Sequence, residues 1–251
     1  MKRAYWMEIK TEFLKLVRMK TYSVSTVLFP LMFYCFFGLA MGEYAPHGMH
    51  MARLLLATYG AFAVMGAALY AFGVGVAVER GLGWLELKRA SPMPPQAYFV
   101  AKAAVSMAFG ALVVLLLFGL GAAAGGVRMP AERWLGMGAA LVAGSVPFCA
   151  LGLAIGNLAG ANSAPAIVNL IYLPMAFLGG LWIPYEVLPP VFRSISPWLP
   201  SYHLGQIALN IQRGPAGGPV AQHWEALAAF TLLFAGIAWL AHVRETEKNY
   251  G

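Results

Sequence analysis

Long apolar runs alternate with short polar segments along most of the chain. Six of these runs reach about 20 residues, the length that a helix needs to cross roughly 30 Å of hydrocarbon. They cover residues 22–41, 54–78, 99–124, 134–158, 164–183 and 224–243. None shows the strict alternation of a membrane β-strand, so helices must satisfy the backbone hydrogen bonds. The pattern therefore predicts an all-α, polytopic membrane protein with six transmembrane helices.

Charged side chains are nearly absent from these six runs. The exceptions are Lys102 near the start of the third run, whose long side chain is expected to snorkel to the membrane surface, and Glu225, the second residue of the sixth run. Over the whole chain 60% of residues are hydrophobic and 11% are charged, whereas a soluble domain carries about 25% charged residues. Because ion-coupled carriers usually place ionisable groups at mid-membrane, the energy for any transport is expected to come from outside this chain.

The basic residues predict the orientation of the six spans. The segments on the same side as both termini hold 12 of the 17 Lys and Arg residues. The opposite side holds the other five, which are Arg53, Arg128, Arg133, Arg193 and Arg213. By the positive-inside rule, both termini are expected on the cytoplasmic side of the cell's inner membrane. Topology thus accounts for most of the net charge of +7, and no nucleic-acid partner is expected.

The first 20 residues are predicted to form an amphipathic helix at the membrane surface. Apolar side chains recur there at steps of three and four, and charged side chains occupy much of the remainder. The apolar stripe comprises Trp6, Ile9, Phe13, Leu16 and Val17. Such a helix lies in the headgroup plane with its basic face toward anionic lipid. It serves either as a simple anchor or as a mechanical element, and the pattern favours neither.

A proline-rich segment at residues 184–203 is unusual for an external loop. Its five prolines break helices and enforce turns, yet the side chains between them are too apolar for a solvated loop. Two short helices that dip back into the outer leaflet would explain both features, provided that protein surrounds their backbone. Since no repeat, linker or soluble domain is evident elsewhere, residues 1–251 are predicted to form a single membrane domain.

The sequence lacks the signatures of membrane enzymes. It contains no Asp and no Gly-x-x-x-x-Gly-Lys-Ser/Thr loop, so the chain is not expected to hydrolyse ATP itself. The Gly-x-Ser-x-Gly and His-Glu-x-x-His motifs are also missing. Glu43, His47 and His50 are close enough in sequence to ligate zinc, but solvated loop side chains are the favoured interpretation. We therefore expect no metal and assign no catalytic residue.

One cytoplasmic segment, at residues 79–95, lies between the second and third runs. Its charged residues alternate with Leu82, Leu85 and Leu87, as in a short amphipathic helix, and Ser-Pro and Pro-Pro steps then end it. A solvated turn between two hydrophobic helices explains the same periodicity equally well.

This segment resembles the signature of type-2 ABC exporter permeases, the membrane subunits that partner a separate ATP-binding-cassette protein. The likeness is carried by Glu79, Arg80, Gly83, Leu85, Glu86, Leu87, Pro92 and Lys102. Ala101 replaces the Gly that is usual in the family, and Trp84 stands where a small hydroxyl residue is common. Neither change breaks the pattern, although Trp84 would alter how the segment docks.

A second stretch, residues 177–203, is also similar to the family. The matching positions are Gly180, Pro184, Leu188, Pro189, Pro200 and either Tyr202 or His203. The chain length, the six predicted spans and the amphipathic lead agree with the same family. The resemblance therefore covers nearly the whole chain.

The resemblance implies a transporter built from two copies of this permease, expected to be a homodimer, and two nucleotide-binding subunits. ATP and Mg²⁺ would be bound by those partner subunits, and no cofactor by this chain. Residues 79–95 would form the coupling helix that fits a groove on the ATPase, and residues 157–162 a smaller contact. Residues 184–203 would shape the outer gate. The candidate gate residues are Gly180, Pro184, Glu186, Pro189 and Pro200.

The substrate path is predicted from the aromatic side chains of the first, second and fifth spans. Phe33, Phe37, Tyr59 and Tyr172 are its candidate lining residues. With no mid-membrane charge to hold a compact ion, such a path suits an amphiphile, for example a drug, a lipid or a lipid-linked glycan. Export of such a molecule is the favoured function.

Two other functions stay open at this point. A membrane-embedded enzyme acting on lipid would need a polar cluster at the interface, for which Glu186, Arg193 and His203 are the candidates. A scaffold or sensor that binds an ATPase without transporting anything is the second alternative.

Overall fold

The computed structural model describes residues 2–40, 50–90, 94–214 and 219–250. Within these ranges the chain is almost entirely helical and contains no β-strand, which confirms the all-α prediction. The helices are α1 (Lys2–Arg18), α2 (Lys20–Phe33), α3 (Met51–Leu69), α4 (Gly75–Gly81), α5 (Trp84–Ala90), α6 (Pro95–Ala123), α7 (Ala131–Ala143), α8 (Val146–Leu158), α9 (Ala164–Leu178), α10 (Pro190–Ile195), α11 (Pro200–Arg213) and α12 (Ala221–Tyr250).

Within the described ranges, four helical segments are long and apolar enough to cross a membrane. They are Met51–Gly81, Gln96–Ala123, Ala131–Leu158 and Ala221–Val243. Two shorter apolar helices, Thr26–Ala40 and Ala164–Leu178, correspond to the first and fifth predicted spans. The fifth run was expected to extend to residue 183, but its helix ends at Leu178 because Gly180 has a positive φ of 74°.

The helix from Met51 to Gly81 lies at the centre of the molecule. It comprises α3, a π-helical turn at Tyr70–Val74, and α4, and most of its apolar part is buried inside the protein. It packs against α6, α8 and α11. Its Ala- and Gly-rich sequence leaves little side-chain bulk between the helix axes, so neighbouring backbones can come close enough to gain dispersion contacts.

Two glycines of α8 show how close this packing is. A Cβ atom on Gly152 would lie 2.8 Å from the Cβ atom of Phe72, and one on Gly156 would lie 2.7 Å from the carbonyl oxygen of Phe72. Any larger residue at either position would push α8 away from the π-helical turn. Helix α8 also packs against α12.

The lead segment forms helix α1, which packs against α6. Of its apolar stripe, Leu16 is buried in the protein core, whereas Trp6, Phe13 and Val17 are exposed. The exposed part of the stripe has the character expected of a helix that lies on lipid. Glu12, on the side of α1 that meets the protein, is also buried.

Residues 184–203 form a series of short helical turns rather than two regular helices. A 3₁₀ turn at Tyr185–Val187, helix α10, and a second 3₁₀ turn at Ser196–Trp198 lead into α11. Hydroxyl groups tie this segment to the end of α9. Ser196 donates a hydrogen bond to the carbonyl of Leu178 at 2.5 Å, and Ser201 donates one to the carbonyl of Met175 at 2.6 Å.

Candidate functional site

A cavity of about 870 Å³ opens between α1 and α2 on one side and α3, α4 and α9 on the other. Its lining extends along the central helix from Ala63 to Leu82, which corresponds to about 28 Å at 1.5 Å per residue. Lys15, Glu79 and Trp84 line one end of the cavity, and Phe29 and Tyr172 lie toward the other. The volume falls in the range of sites for drug-sized ligands, roughly 300–1,000 Å³.

A continuous series of aromatic rings borders the end of this cavity near Phe29 and Tyr172. Phe37 lies 5.7 Å from Phe33, measured between ring centroids, and Phe33 lies 6.0 Å from Trp182. Trp182 is 5.6 Å from Phe62, which stacks on Tyr172 at 4.7 Å. The fold thus connects three of the four predicted path residues through Trp182 and Phe62, two aromatic residues that were not predicted.

The four predicted path residues do not have the same role in this arrangement. Tyr172 lines the cavity, and its hydroxyl donates a hydrogen bond to the carbonyl of Phe62 at 3.1 Å. Tyr59 is 1% exposed and lies behind Phe62, at 6.5 Å between ring centroids, rather than on the cavity wall. Phe29 lines the cavity directly, although it was not predicted. Its place one turn before Phe33 in the same helix was the signal for it.

Few polar side chains reach this cavity away from its charged end. The hydroxyl of Tyr70 donates a hydrogen bond to Oδ1 of Asn169 at 2.5 Å, and both side chains line the wall. Tyr70 is the first residue of the π-helical turn, and Asn169 lies within the apolar helix α9. This pair therefore lies between the aromatic end and the charged end of the cavity.

A buried cluster of charges lies at the Lys15–Glu79 end of the cavity. The ammonium group of Lys102 lies 2.5 Å from Glu12 and 3.0 Å from Glu79, measured to Oε1 in both cases. Lys15 forms ion pairs with the same two carboxylates, at 2.7 Å from Glu12. The hydroxyl of Tyr98 donates to Oε2 of Glu79 at 2.6 Å. Two cations and two anions thus join α1, α4 and α6.

The charges in this cluster compensate one another. Burial alone would raise the pKa of Glu12, but the positive charges of Lys102 and Lys15 outweigh it and hold that pKa below its usual value. Burial and the nearby charge of Lys102 lower the pKa of Lys15 to about 8, although Glu12 opposes the shift.

Lys102 does not snorkel as expected: it is 1% exposed, because Glu12 and Glu79 hold its ammonium group inside the protein.

Arg80 connects the predicted coupling segment to another part of the protein. Its guanidinium donates hydrogen bonds to the carbonyls of Asn157 and Ala159, the second at 2.6 Å. These carbonyls lie at the end of α8, where a helix leaves backbone acceptors without intrahelical partners and carries a partial negative charge. Glu79 and Arg80 therefore both face the protein, one toward the charge cluster and one toward α8.

The outer face of the coupling segment is apolar. Leu82, Trp84 and Leu87 are 59%, 43% and 71% exposed, and Glu86 is exposed beside them. Gly83 allows the turn before α5, because its φ of 71° is in the left-handed region. Leu85 packs against the hydrophobic core instead of facing outward.

The coupling segment is also held by α1. The ammonium group of Lys88 lies 2.6 Å from Glu8 of that helix. Pro92, the remaining residue of the predicted coupling set, lies outside the described residues, as do Glu43 and His47 of the first external loop.

The candidate gate residues surround the end of α9. Gly180 and Pro184 are buried, and a Cβ atom on Gly180 would lie 3.2 Å from the Cβ atom of Tyr185. Pro200 is buried at the start of α11, whereas Pro189 is exposed. These prolines begin or precede short helices, where their fixed φ suits the first turn.

The polar residues suggested for a lipid-active enzyme have other partners. Glu186 lies 3.8 Å from Arg213 in a partly exposed ion pair. Nδ1 of His203 lies 2.9 Å from Nδ1 of His223, and Nε2 of His203 lies 2.9 Å from the carbonyl oxygen of Pro197. The hydrogen bonds and ion pairs of Glu186 and His203 therefore do not join them into one catalytic group.

Comparison with known proteins agrees with this architecture. The family model described as "ABC-2 type transporter" matches residues 3–212. The chain is also 30% identical over 223 residues to a protein of Bacillus subtilis (strain 168) named "Putative transport permease YvfS". That alignment covers 89% of this chain and 90% of the relative.

Proposed function

The chain belongs to the ABC-2 type transporter family and is a transmembrane subunit of an ABC transporter, and we propose that it exports an amphiphilic molecule. In this family the membrane subunit works with an ATP-binding-cassette partner, which uses the ATP and Mg²⁺. The chain itself then contributes the path for the substrate and the surface on which the partner ATPase acts.

The elongated cavity is the observation that supports an amphiphilic substrate. Its walls are mainly apolar and aromatic, its length covers much of a bilayer, and its charges are confined to one end. A compact ion would lose its hydration there without gaining a compensating partner. A molecule with an apolar chain would bury that chain against Phe29, Tyr172 and Leu173. A drug, a lipid or a lipid-linked glycan fits this description.

The coupling segment offers the partner an apolar docking surface. Leu82 and Trp84 are exposed on that segment and also line the cavity. A force applied to them by the ATPase would reach the cavity wall directly, and Glu79 and Arg80 would transmit it to α1, α6 and α8. This separation of an outward apolar face from an inward charged face supports the coupling role of residues 79–95.

The apolar helices support a six-span topology. Besides the four long helices, α2 continues through a π-helical stretch at Tyr34–Ala40. That continuation lengthens it toward what a span requires. Helix α9 is shorter, and residues 184–203 would complete the outer part of its span as a re-entrant gate. With the basic residues inside, both termini lie in the cytoplasm of a cell whose inner membrane carries two copies of this chain.

Reconstitution with the partner ATPase tests the export function. Proteoliposomes carrying the complex with the ATPase facing outward receive a fluorescent phospholipid in their outer leaflet. ATP should move this lipid to the inner leaflet, where it is protected from a membrane-impermeant quencher. If wild-type complexes hydrolyse ATP but move neither this lipid nor a hydrophobic drug, the non-transporting scaffold replaces the exporter.

Gly66 provides a blocked variant for this experiment. A Cβ atom at Gly66 would lie 2.6 Å from the hydroxyl of Tyr172, so Gly66→Leu places a side chain in the cavity. We expect lipid movement to fall by about tenfold or more while the ATPase still co-purifies and still hydrolyses ATP. The matched control is Gly119→Leu, because a Cβ atom there meets nothing within 4 Å.

A further inference from the structure

We propose that Asn169 and Tyr70 form a polar subsite that binds an uncharged hydrogen-bonding group of the substrate, such as an amide or a hydroxyl. This inference rests on the proposed export of an amphiphile. It adds which polar chemistry the cavity accepts and where along the cavity that group lies.

The position of Asn169 is the first observation behind the subsite. Helix α9 is apolar apart from Asn169 and Tyr172. Asn169 is exposed at the protein surface and lines the cavity, whereas Leu170, the next residue, is 74% exposed and is not part of the lining. An exposed amide within a membrane-embedded helix is unfavourable against hydrocarbon, so its place on a cavity wall points to a polar partner.

The hydrogen-bonding capacity of the pair is the second observation. The hydroxyl of Tyr70 donates a hydrogen bond to Oδ1 of Asn169 at 2.5 Å. That bond fixes the amide of Asn169 with its Nδ2 group as a donor of two hydrogen bonds, while the oxygen of Tyr70 can still accept one. Among the described residues, Nδ2 of Asn169 has no hydrogen-bond acceptor. A ligand carbonyl accepts from Nδ2, and a ligand amide or hydroxyl proton can bond to the oxygen of Tyr70.

The distribution of charge restricts the ligand to an uncharged group. Glu79 lies nine residues beyond Tyr70 on the same helix, about 13 Å along its axis. Its carboxylate is already paired with Lys15 and Lys102, and the cations are paired with carboxylates in turn. A charged headgroup beside Asn169 would lose its hydration with no counter-ion available, and that loss is far more costly than burial of a hydrogen-bonded amide.

The π-helical turn holds the two residues together. A Cβ atom on Gly73 would lie 2.7 Å from Cγ2 of Val168, the residue before Asn169. The lack of a side chain at Gly73 therefore lets α9 approach the turn closely enough for Tyr70 to reach Asn169. Since π-helical turns often occur at functional sites, this local geometry agrees with a binding role.

Photo-crosslinking with three matched probes tests the subsite. Each probe has a dodecyl chain that ends in a diazirine, and the head is an acetamide, a trimethylammonium or a phosphate. The permease with its ATPase partner is placed in lipid nanodiscs and irradiated with each probe. Peptide mass spectrometry then compares labelling of the cavity residues Phe29 and Leu173 with labelling of Leu170. In the wild type the acetamide probe should label the cavity at least about fivefold more than either charged probe.

Variants of the pair should remove this preference. In Asn169→Leu, which keeps a similar side-chain size, cavity labelling by the acetamide probe should fall by roughly fivefold, and Tyr70→Phe should reduce it less because the amide remains. Leu170→Met is the matched control, because Leu170 follows Asn169 in α9 but does not line the cavity, and it should label like the wild type.

Three results would overturn the subsite. They are an unchanged acetamide signal in Asn169→Leu, equal or better cavity labelling by a charged probe, and no cavity labelling by any probe. Preference for a charged probe would leave amphiphile export intact, whereas failure of export itself is detected separately, as missing ATP-dependent lipid movement in proteoliposomes.

Discussion

The ammonium group of Lys102 is closed off from solvent and lies between the carboxylates of Glu12 and Glu79. Removing such charges from water costs several kcal/mol per ion, and ion pairing offsets this cost only when the geometry and the hydrogen bonds are good. The cluster is therefore weak evidence of added stability. Its physical effect is to fix the coupling segment in one position relative to α1 and α6.

The first prediction concerns removal of that buried cation. Lys102→Met leaves two buried carboxylates with Lys15 as their remaining cation, which should destabilise the folded protein by about 3–5 kcal/mol. Thermal unfolding of the purified permease in detergent measures the effect. The double variant Lys102→Met/Glu79→Gln restores the charge balance and should recover most of the loss. A double variant as unstable as the single one would show that packing, not charge, governs the site.

A second prediction follows from the pKa of Lys15. This pKa is lowered to about 8 in the folded protein from the usual 10.5, so between these pH values the unfolded chain binds more protons. The contribution of Lys15 to the free energy of unfolding therefore rises with pH from 8 to 10.5. The pKa of Glu12 is lowered in the folded protein, so Glu12 stabilises the fold when it is ionised. Its contribution to the free energy of unfolding is lost in the acidic range, as the pH falls.

Competitive acetylation measures the titration of Lys15 directly. A trace of acetic anhydride labels only unprotonated amines, and mass spectrometry follows the labelling of Lys15 from pH 6 to 11. The midpoint should lie near pH 8 in the folded permease and shift to the ordinary lysine range after denaturation. The same midpoint in both states would contradict the burial of this amine among charges.

Sequence patterns selected the candidate site residues but could not predict their orientation. The likeness that selected Glu79 and Arg80 says nothing about which side chains face inward, and both turn toward the protein through contacts with Lys102 and with the end of α8. Those contacts join residues far apart in the chain. Trp182 was likewise hidden, because it reaches Phe33 and Phe62 only after the chain turns at the end of α9.

At the scale of elements, one half of the coupling segment is held against the protein and the other half is exposed. Glu79 and Arg80 hold its start, whereas in α5 Leu87 is exposed and Leu85 packs against the hydrophobic core. An exposed leucine at the membrane surface is unremarkable alone, but Leu82 and Trp84 extend the patch. Such a patch beside a charged residue, Glu86, has the composition of a protein docking surface.

The third prediction tests this docking surface. Leu87→Ser removes an apolar side chain that is 71% exposed, and the affinity for the ATPase should fall by about tenfold as the buried contact is lost. Binding of the detergent-solubilised permease to immobilised ATPase measures the change. Leu135→Ser is the matched control, since Leu135 is 74% exposed at the start of α7 and lies far from the coupling segment. Equal losses in both variants would place the docking surface elsewhere.

Hydrophobic periodicity predicted the long helices well and the shorter ones less well. Apolar runs of more than 20 residues with at most one charged residue left no competing structure for the helices that begin at Met51 and Gln96. The end of α9 depended instead on Gly180, because a positive φ at one residue stops a helix inside an unbroken apolar run. Apolar character alone cannot show such an end.

Across the whole molecule, one continuous body of protein links the proposed docking surface to the proposed substrate path. Trp84 and Leu82 contribute to both, and the charge cluster joins that end of the cavity to α1 and α6. Movement of the coupling segment would therefore move the cavity wall at its charged end. This arrangement suits a chain that receives its energy from a partner on one side of the membrane only.

That reasoning requires the coupling segment and the proposed gate to lie on opposite sides of the membrane, which the last prediction tests. Leu87→Cys and Val191→Cys, 71% and 68% exposed in the wild type, are introduced separately after Cys35 and Cys149 are replaced by Ser. A membrane-impermeant maleimide should label Val191→Cys in intact cells and Leu87→Cys only after permeabilisation. The reason is that most Lys and Arg residues lie on the same side of the membrane as the coupling segment, which the positive-inside rule makes the cytoplasmic side. Labelling of Leu87→Cys in intact cells would reverse the orientation, and with it any docking of a cytoplasmic ATPase at this surface.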